Sequence, residues 1–183
     1  MPGILARSIL FAVAFSVGAS ASAQTRHRRA PTEGELPPPP IAGDKRDAMV
    51  SLPGTFSGRP YWLALAECGG TYFKLNALYT DAAVHARVVN PDPHANAEFT
   101  RKLNEAIRIA TTYFDAAERF LATDRGLDRN NAVLTYDGQS RAAGDRVKTI
   151  EAGLAAAKAC PALYQACEQA YAKACSEKLA PMS

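Results

Sequence analysis

Residues 61–82, YWLALAECGGTYFKLNALYTDA, carry the pattern that decides the fold class. Apolar or small residues recur at alternating intervals of four and three positions, which places them on one face of an α-helix. The stretches 99–121 and 133–154 show the same spacing, so the chain is predicted to be helical. The residues on the apolar face of the first stretch are Tyr61, Leu65, Cys68, Tyr72, Leu75, Tyr79 and Ala82.

Prolines and capping residues divide this region into four predicted helices. Asp92 suits an N-cap and Pro93 the first helical position. Pro161 ends one helix and opens the next. Gly138 costs ~1 kcal/mol relative to alanine inside a helix and favours a break near Asp137–Gly138. The predicted helices cover about 60–87, 93–123, 129–159 and 161–179. Because the connections are short, the sequence predicts an all-α, up-and-down antiparallel helical bundle over residues 60–179.

The first 23 residues are typical of a secretory signal peptide. Arg7 precedes an apolar run from Ile9 to Val17, and Ala21-Ser22-Ala23 forms an Ala-x-Ala motif, so cleavage is predicted after Ala23. The uncharged stretch of 16 residues is shorter than the ~20 of a membrane-spanning helix. Arginines behind the apolar run favour the alternative, a retained anchor. We expect a periplasmic protein with no transmembrane anchor after cleavage.

Residues 24–59 are predicted to form a disordered, basic and proline-rich arm. They lack apolar periodicity, and Pro37 to Pro40 favour a polyproline II spacer. A short tail, residues 180–183, ends the chain. The arm residues Arg26, Arg28 and Arg29 are candidate contacts to an unknown envelope protein or an anionic envelope polymer.

The charge balance argues against nucleic acid as a partner. Without residues 1–23 the chain loses one base, Arg7, and no acid, which leaves 20 basic and 18 acidic residues. Nucleic-acid-binding domains are usually far more basic.

Four cysteines, Cys68, Cys160, Cys167 and Cys175, are predicted to form two disulfides, because exported thiols meet an oxidising environment. In an intact fourth helix, Cys167 and Cys175 would lie ~12 Å apart, too far for a disulfide, which needs Cα atoms ~4.4–6.8 Å apart. The heights of the cysteines in an antiparallel bundle favour Cys68–Cys175 together with Cys160–Cys167.

The alternative use of the cysteines is a small-ligand or soft-metal carrier. Reduced Cys68, Cys167 and Cys175 would offer thiolates to Cu(I) or Zn inside the bundle, although their spacing matches no compact zinc pattern. Aromatic residues of the first and fourth helices, Phe73 among them, could line a ligand pocket. No metal or cofactor is assigned from the sequence.

Enzyme signatures are sparse, and no catalytic residue is assigned. The chain lacks the nucleophile-elbow, zinc-protease, phosphate-loop and dinucleotide-binding motifs. His85 and His94 flank one corner near Asp81 and Asp92, a weak candidate for acid–base chemistry. The leading hypothesis is therefore a non-enzymatic binding or accessory module of the cell envelope.

Two features of the first helix call for a structural explanation. Glu67 is the one carboxylate among the apolar residues at its start, and a position on the polar face is expected. The pair Gly69-Gly70 costs ~2 kcal/mol by helix propensity. It indicates either close approach of a neighbouring helix or a kink.

Overall fold

The structure, a computed structural model, describes residues 47–89 and 91–177. The predicted signal peptide, residues 24–46 of the predicted arm with the candidate contacts Arg26, Arg28 and Arg29, and the predicted tail lie outside these residues. The described chain forms five α-helices and one π-helical turn. The elements are α1 (Tyr61–Val84), π1 (His85–Val89), α2 (Pro93–Arg125), α3 (Arg129–Asp145), α4 (Ile150–Ala157) and α5 (Cys160–Ala170).

Local capping sets where the middle helices begin. The Asp92 side chain accepts hydrogen bonds from the backbone N–H groups of His94 (3.0 Å) and Ala95 (3.1 Å), as predicted for this N-cap, and Pro93 occupies the first turn of α2. Asp128 caps α3 and Thr149 caps α4 in the same way. Each cap satisfies backbone donors that a helix start leaves unpaired.

Ring contacts give the direction of the helices. Residue numbers fall along α2 as they rise along α1, so these helices are antiparallel. The ring pairs, with centroid separations, are Tyr61–Phe120 (5.2 Å), Tyr72–Tyr113 (5.7 Å) and Tyr79–Phe99 (6.4 Å). Between α2 and α3, the ring pair Phe114–Tyr136 (5.4 Å) and the ion pair Glu118–Arg129 (3.2 Å) show the same reversal.

The last two helices follow each other along α1 and together form the fourth helix of the bundle. Leu75 lies against Gly153 of α4, Cys68 is bonded to Cys160, and Tyr61 packs against Tyr171 just beyond α5. The prediction of an all-α, up-and-down bundle is confirmed.

The predicted end of the third helix is wrong. The helix stops at Asp145, fourteen residues before the predicted end, and the break does not lie at Asp137–Gly138. Gly138 has open space around it, whereas Val147 is buried and Thr149 caps the next helix. Burial of Val147 and the Thr149 cap stabilise a turn between α3 and α4. Because of this turn, α4 packs as part of the fourth helix of the bundle.

The predicted arm also differs from the structure at its end, residues 47–59. This segment folds onto the bundle, with Val50 and Phe56 buried. Backbone hydrogen bonds from Val50 N to Arg59 O (2.8 Å) and from Tyr61 N to Ala48 O (2.8 Å) close the segment into a loop. A short apolar loop has no periodicity, so its composition resembled that of a linker.

Asp47 ties this loop to the ends of α1 and α2. Its carboxylate accepts two hydrogen bonds from the Arg125 guanidinium (2.8 and 2.6 Å) and one from the Trp62 indole N–H (3.1 Å). The hydrogen bonds from Arg125 hold the pKa of Asp47 below its usual value. The guanidinium also lies 4.9 Å from the centre of the Trp62 ring, a cation–π distance.

Because several tyrosines are buried, the protein is expected to lose stability at alkaline pH. Burial raises the pKa of Tyr113 and Tyr72, and raises that of Tyr164 to about 12, against ~10 in an unfolded chain. As pH rises, the unfolded state therefore releases these protons first. The contribution of the buried tyrosines to the free energy of unfolding is complete below pH ~10, and it is lost as the pH rises toward their pKa values in the folded protein.

Tyr113→Phe is expected to make the free energy of unfolding fall less steeply with pH above ~10. Urea unfolding at a series of pH values measures this slope. Tyr171→Phe is the matched control, because its ring is 38% exposed. An unchanged slope in Tyr113→Phe would contradict the prediction.

Candidate binding groove

The structure pairs Cys68 with Cys160 and Cys167 with Cys175, each with Cα atoms 5.8 Å apart. The prediction of two disulfides is confirmed, but the predicted pairing, Cys68–Cys175 with Cys160–Cys167, is wrong. It assumed a continuous helix through Cys175. Instead α5 ends at Ala170, and the non-helical backbone of Tyr171 (φ −140°, ψ 54°) turns the chain so that Cys175 returns to Cys167. Cys160 is then left facing Cys68 across the bundle.

The disulfides remove the basis for a thiolate metal site. None of the four sulfurs is free, so none can ligate Cu(I) or Zn as a thiolate. Within residues 47–89 and 91–177, no cluster of three or more His, Cys, Asp or Glu residues is arranged to hold a metal ion.

The histidine corner is exposed, and its aspartate is used in capping. His85 is the first residue of π1 and His94 lies in the first turn of α2. The Asp92 carboxylate is taken up by backbone N–H groups of α2. No hydrogen bond or ion pair joins the two histidines in the described part of the chain.

Glu67 is partly buried rather than on an open polar face. The Arg59 guanidinium donates to its two carboxylate oxygens at 2.7 and 2.5 Å, and 13% of the side chain is exposed. Such a bidentate pair offsets the cost of burying the charge. Glu67 borders a cavity of about 240 Å³ beside the Cys68–Cys160 disulfide, which also has Thr71 and Arg146 in its wall.

Close approach of neighbouring helices accounts for Gly69-Gly70, one of the two predicted explanations. A Cβ atom on Gly69 would lie 2.5 Å from a ring carbon of Phe114, and one on Gly70 would overlap the carbonyl oxygen of Ser140. A Cβ atom on Gly144 would lie 3.1 Å from the carbonyl oxygen of Gly70. The backbones of α1 and α3 therefore meet where each helix carries glycine.

A groove of about 700 Å³ opens beside this crossing, between α1 and α3. Phe114 and Tyr136 stack with their ring centres 5.4 Å apart and form part of its apolar surface. Phe73 on α1 is 55% exposed, and Leu134, next to the lining residue Val133, is 76% exposed. The lining residues are Gly70, Phe73, Lys74, Ala77, Phe114, Val133, Tyr136, Asp137, Ser140, Arg141, Gly144 and Asp145.

The charges of the groove differ in whether they are paired. Arg141 and Asp137 form an ion pair at 2.9 Å, and the Tyr136 hydroxyl donates to Glu118 at 3.0 Å. Lys74 has no ion pair or hydrogen bond to its side chain among the described residues. Its ammonium is therefore a cation available to a partner.

Sequence reasoning missed most of this groove. The sequence offers Phe73 as a candidate pocket residue, but it gives no indication of the α3 wall. Its residues lie far from α1 in the sequence, and no local pattern indicates which helix will cross α1 at its glycine pair.

Comparison with known proteins adds no relative: the chain matches no protein-family model, no curated protein and no solved structure. Among the described residues, no helix combines the length and the apolar character needed to cross a membrane.

Proposed function

We propose that this chain is an exported, non-enzymatic binding module of the cell envelope, and that the α1–α3 groove holds an amphipathic helix of a partner protein. The observation that carries the proposal is the groove, with Phe73 55% exposed at its edge. A large aromatic side chain left in water beside an apolar groove is typical of a contact residue.

Two observations support the exported location. The chain begins with the pattern of a cleavable signal peptide. All four cysteines are in disulfides, as in proteins of oxidising compartments. The periplasm satisfies both.

The dimensions and charge of the groove favour a helix as its occupant. Its wall runs from Gly70 to Ala77 on α1 and from Val133 to Asp145 on α3, about 10 and 18 Å of helix axis. This length fits two to three turns of a helix that inserts apolar residues at intervals of three and four. The unpaired ammonium of Lys74 favours an acidic residue beside those apolar residues.

Photo-crosslinking in cells tests this interaction. A photoreactive phenylalanine analogue at Phe73 is expected to form an adduct whose attachment point lies in an amphipathic helix of the partner. Lys74→Glu is expected to lower the adduct yield roughly tenfold, the effect of about 1.4 kcal/mol in binding free energy.

The controls are the same analogue at Leu154, which is 43% exposed on α4, and the charge reversal Lys158→Glu at the end of α4. Equal adducts at Phe73 and Leu154, or no effect of Lys74→Glu, would contradict the proposal.

The alternative, a small-ligand carrier, is supported by the cavity of about 240 Å³ beside Cys68 and Cys160. Arg146 at its wall has no ion-pair partner among the described residues and would favour an anionic group. A small bound mass in protein from its native compartment, released on denaturation, would favour this alternative over the partner helix.

A further inference from the structure

The segment after α5 has a sequence that favours one local structure and adopts another. Residues 171–177, YAKACSE, contain two alanines and no glycine or proline, a composition that favours continuation of a helix. Yet α5 ends at Ala170, and Tyr171 has a non-helical backbone.

The departure from the helix is confined to a short stretch. After Tyr171 the chain enters another turn, in which the N–H groups of Ala174 (2.9 Å) and Cys175 (3.1 Å) donate to the Tyr171 carbonyl oxygen. A helical backbone at Tyr171 would align this turn with α5. The Cα atoms of Cys167 and Cys175 would then move from 5.8 Å to about 12 Å apart, which a disulfide cannot span.

Noncovalent contacts also hold the folded-back segment, and the ion pair among them is exposed to water. Arg119 donates to the carbonyl oxygen of Ala174 (3.1 Å) and pairs with Glu177 (3.4 Å). The Tyr171 ring packs edge-on against Tyr61 and Phe120. The side chains of Arg119 and Glu177 are 37% and 49% exposed, and pairs this exposed contribute little to stability.

We propose that the Cys167–Cys175 disulfide is a redox latch. In the oxidised protein it holds residues 171–177 folded back. After reduction, these residues extend α5 as one continuous helix and leave the surface formed by Tyr61, Phe120 and Arg119. The latch is independent of the α1–α3 groove and does not rest on its proposed function.

The reduction step is ordinary thiol–disulfide exchange. A thiolate of a dithiol reductant attacks the sulfur of Cys175, and Cys167 leaves as a thiolate and takes up a proton. The second thiol of the reductant then displaces Cys175, which also becomes a thiol, so two electrons and two protons have been transferred and the reductant ends as a disulfide.

The two disulfides differ in their access to a reductant. Cys167 and Cys175 are only eight residues apart, and the neighbours Lys173, Ser176 and Glu177 are exposed. Local opening of this segment exposes Cys175 while the bundle stays folded. Cys68 and Cys160 join two bundle helices across 92 residues, so exposing them requires separating those helices.

Backbone NMR of the mature chain tests the latch. We expect dithiothreitol to reduce Cys167–Cys175 before Cys68–Cys160. Residues 171–177 should then gain helical chemical shifts and amide protection, a gain of about seven helical residues. The double variant Cys167→Ala/Cys175→Ala should show the same shifts without a reductant.

Cys68→Ala/Cys160→Ala is the matched control and is expected to leave residues 171–177 folded back. Arg119→Ala, with both disulfides intact, tests whether the noncovalent contacts set the conformation; it is expected to give no helical shifts. Folded-back or random-coil shifts in Cys167→Ala/Cys175→Ala, or simultaneous reduction of both disulfides, would overturn the proposal.

Discussion

Replacing Cys68 and Cys160 together by alanine is expected to lower the free energy of unfolding by about 4–5 kcal/mol. This disulfide closes a loop of 92 residues between α1 and α5, and a long closed loop removes much conformational entropy from the unfolded chain. The loss approaches the whole stability of many small domains. Urea unfolding of the mature protein, followed by circular dichroism, measures it.

Cys167→Ala/Cys175→Ala is the matched control, since it removes the same atoms from equally buried positions. Its loop spans eight residues, for which the same chain-entropy relation gives about 2–3 kcal/mol. The test is which of the two double variants loses more of its free energy of unfolding. Equal losses, or a larger loss for the short loop, would mean that the long disulfide does not constrain the unfolded chain as its position implies.

Gly70→Ala is expected to destabilise the bundle by about 3 kcal/mol or more, the upper range for overpacking a core. The added methyl group would overlap the backbone carbonyl of Ser140. A backbone atom cannot turn aside as a side chain can, so α1 and α3 must separate. Separation would also loosen the groove, so the proposed binding of a partner helix is expected to weaken together with the stability.

Gly138→Ala, on α3, is expected to have the opposite effect on stability. A Cβ atom at Gly138 meets nothing within 4 Å, and the position lies inside α3. Alanine there should raise the free energy of unfolding by about 0.5–1 kcal/mol, through helix propensity and a less flexible unfolded chain. Similar effects of the two substitutions would contradict close backbone contact at Gly70.

One disulfide and the glycine contact fix the positions of helices around α1. Cys68–Cys160 fixes α5 against α1, and the glycine contact brings α3 onto the same helix. The walls of the groove are therefore positioned before any partner arrives. Binding to preformed walls avoids the entropy cost of ordering them, which is consistent with the proposed binding of a partner helix.

Local features of the sequence were enough to predict the helical class and several boundaries. The apolar spacing along residues 61–82 sets one face of a helix, and Asp92 with Pro93 sets the start of another. These features depend on neighbours within a few residues, so they can be interpreted without the fold. The glycine pair at 69–70 also limited the explanations to close contact or a kink, and the structure shows the contact.

Tertiary contacts decided the remaining features. The same helix-forming composition continues through Val147 and Tyr171, yet the helix breaks at both places. The first break follows from the burial of Val147 in the bundle, and the second from the bond between Cys175 and Cys167. These breaks determine which cysteines meet. The groove likewise depends on Ser140 and Gly144 reaching Gly70. Residues this distant meet through packing of whole helices, whereas helical periodicity in the sequence describes one helix at a time.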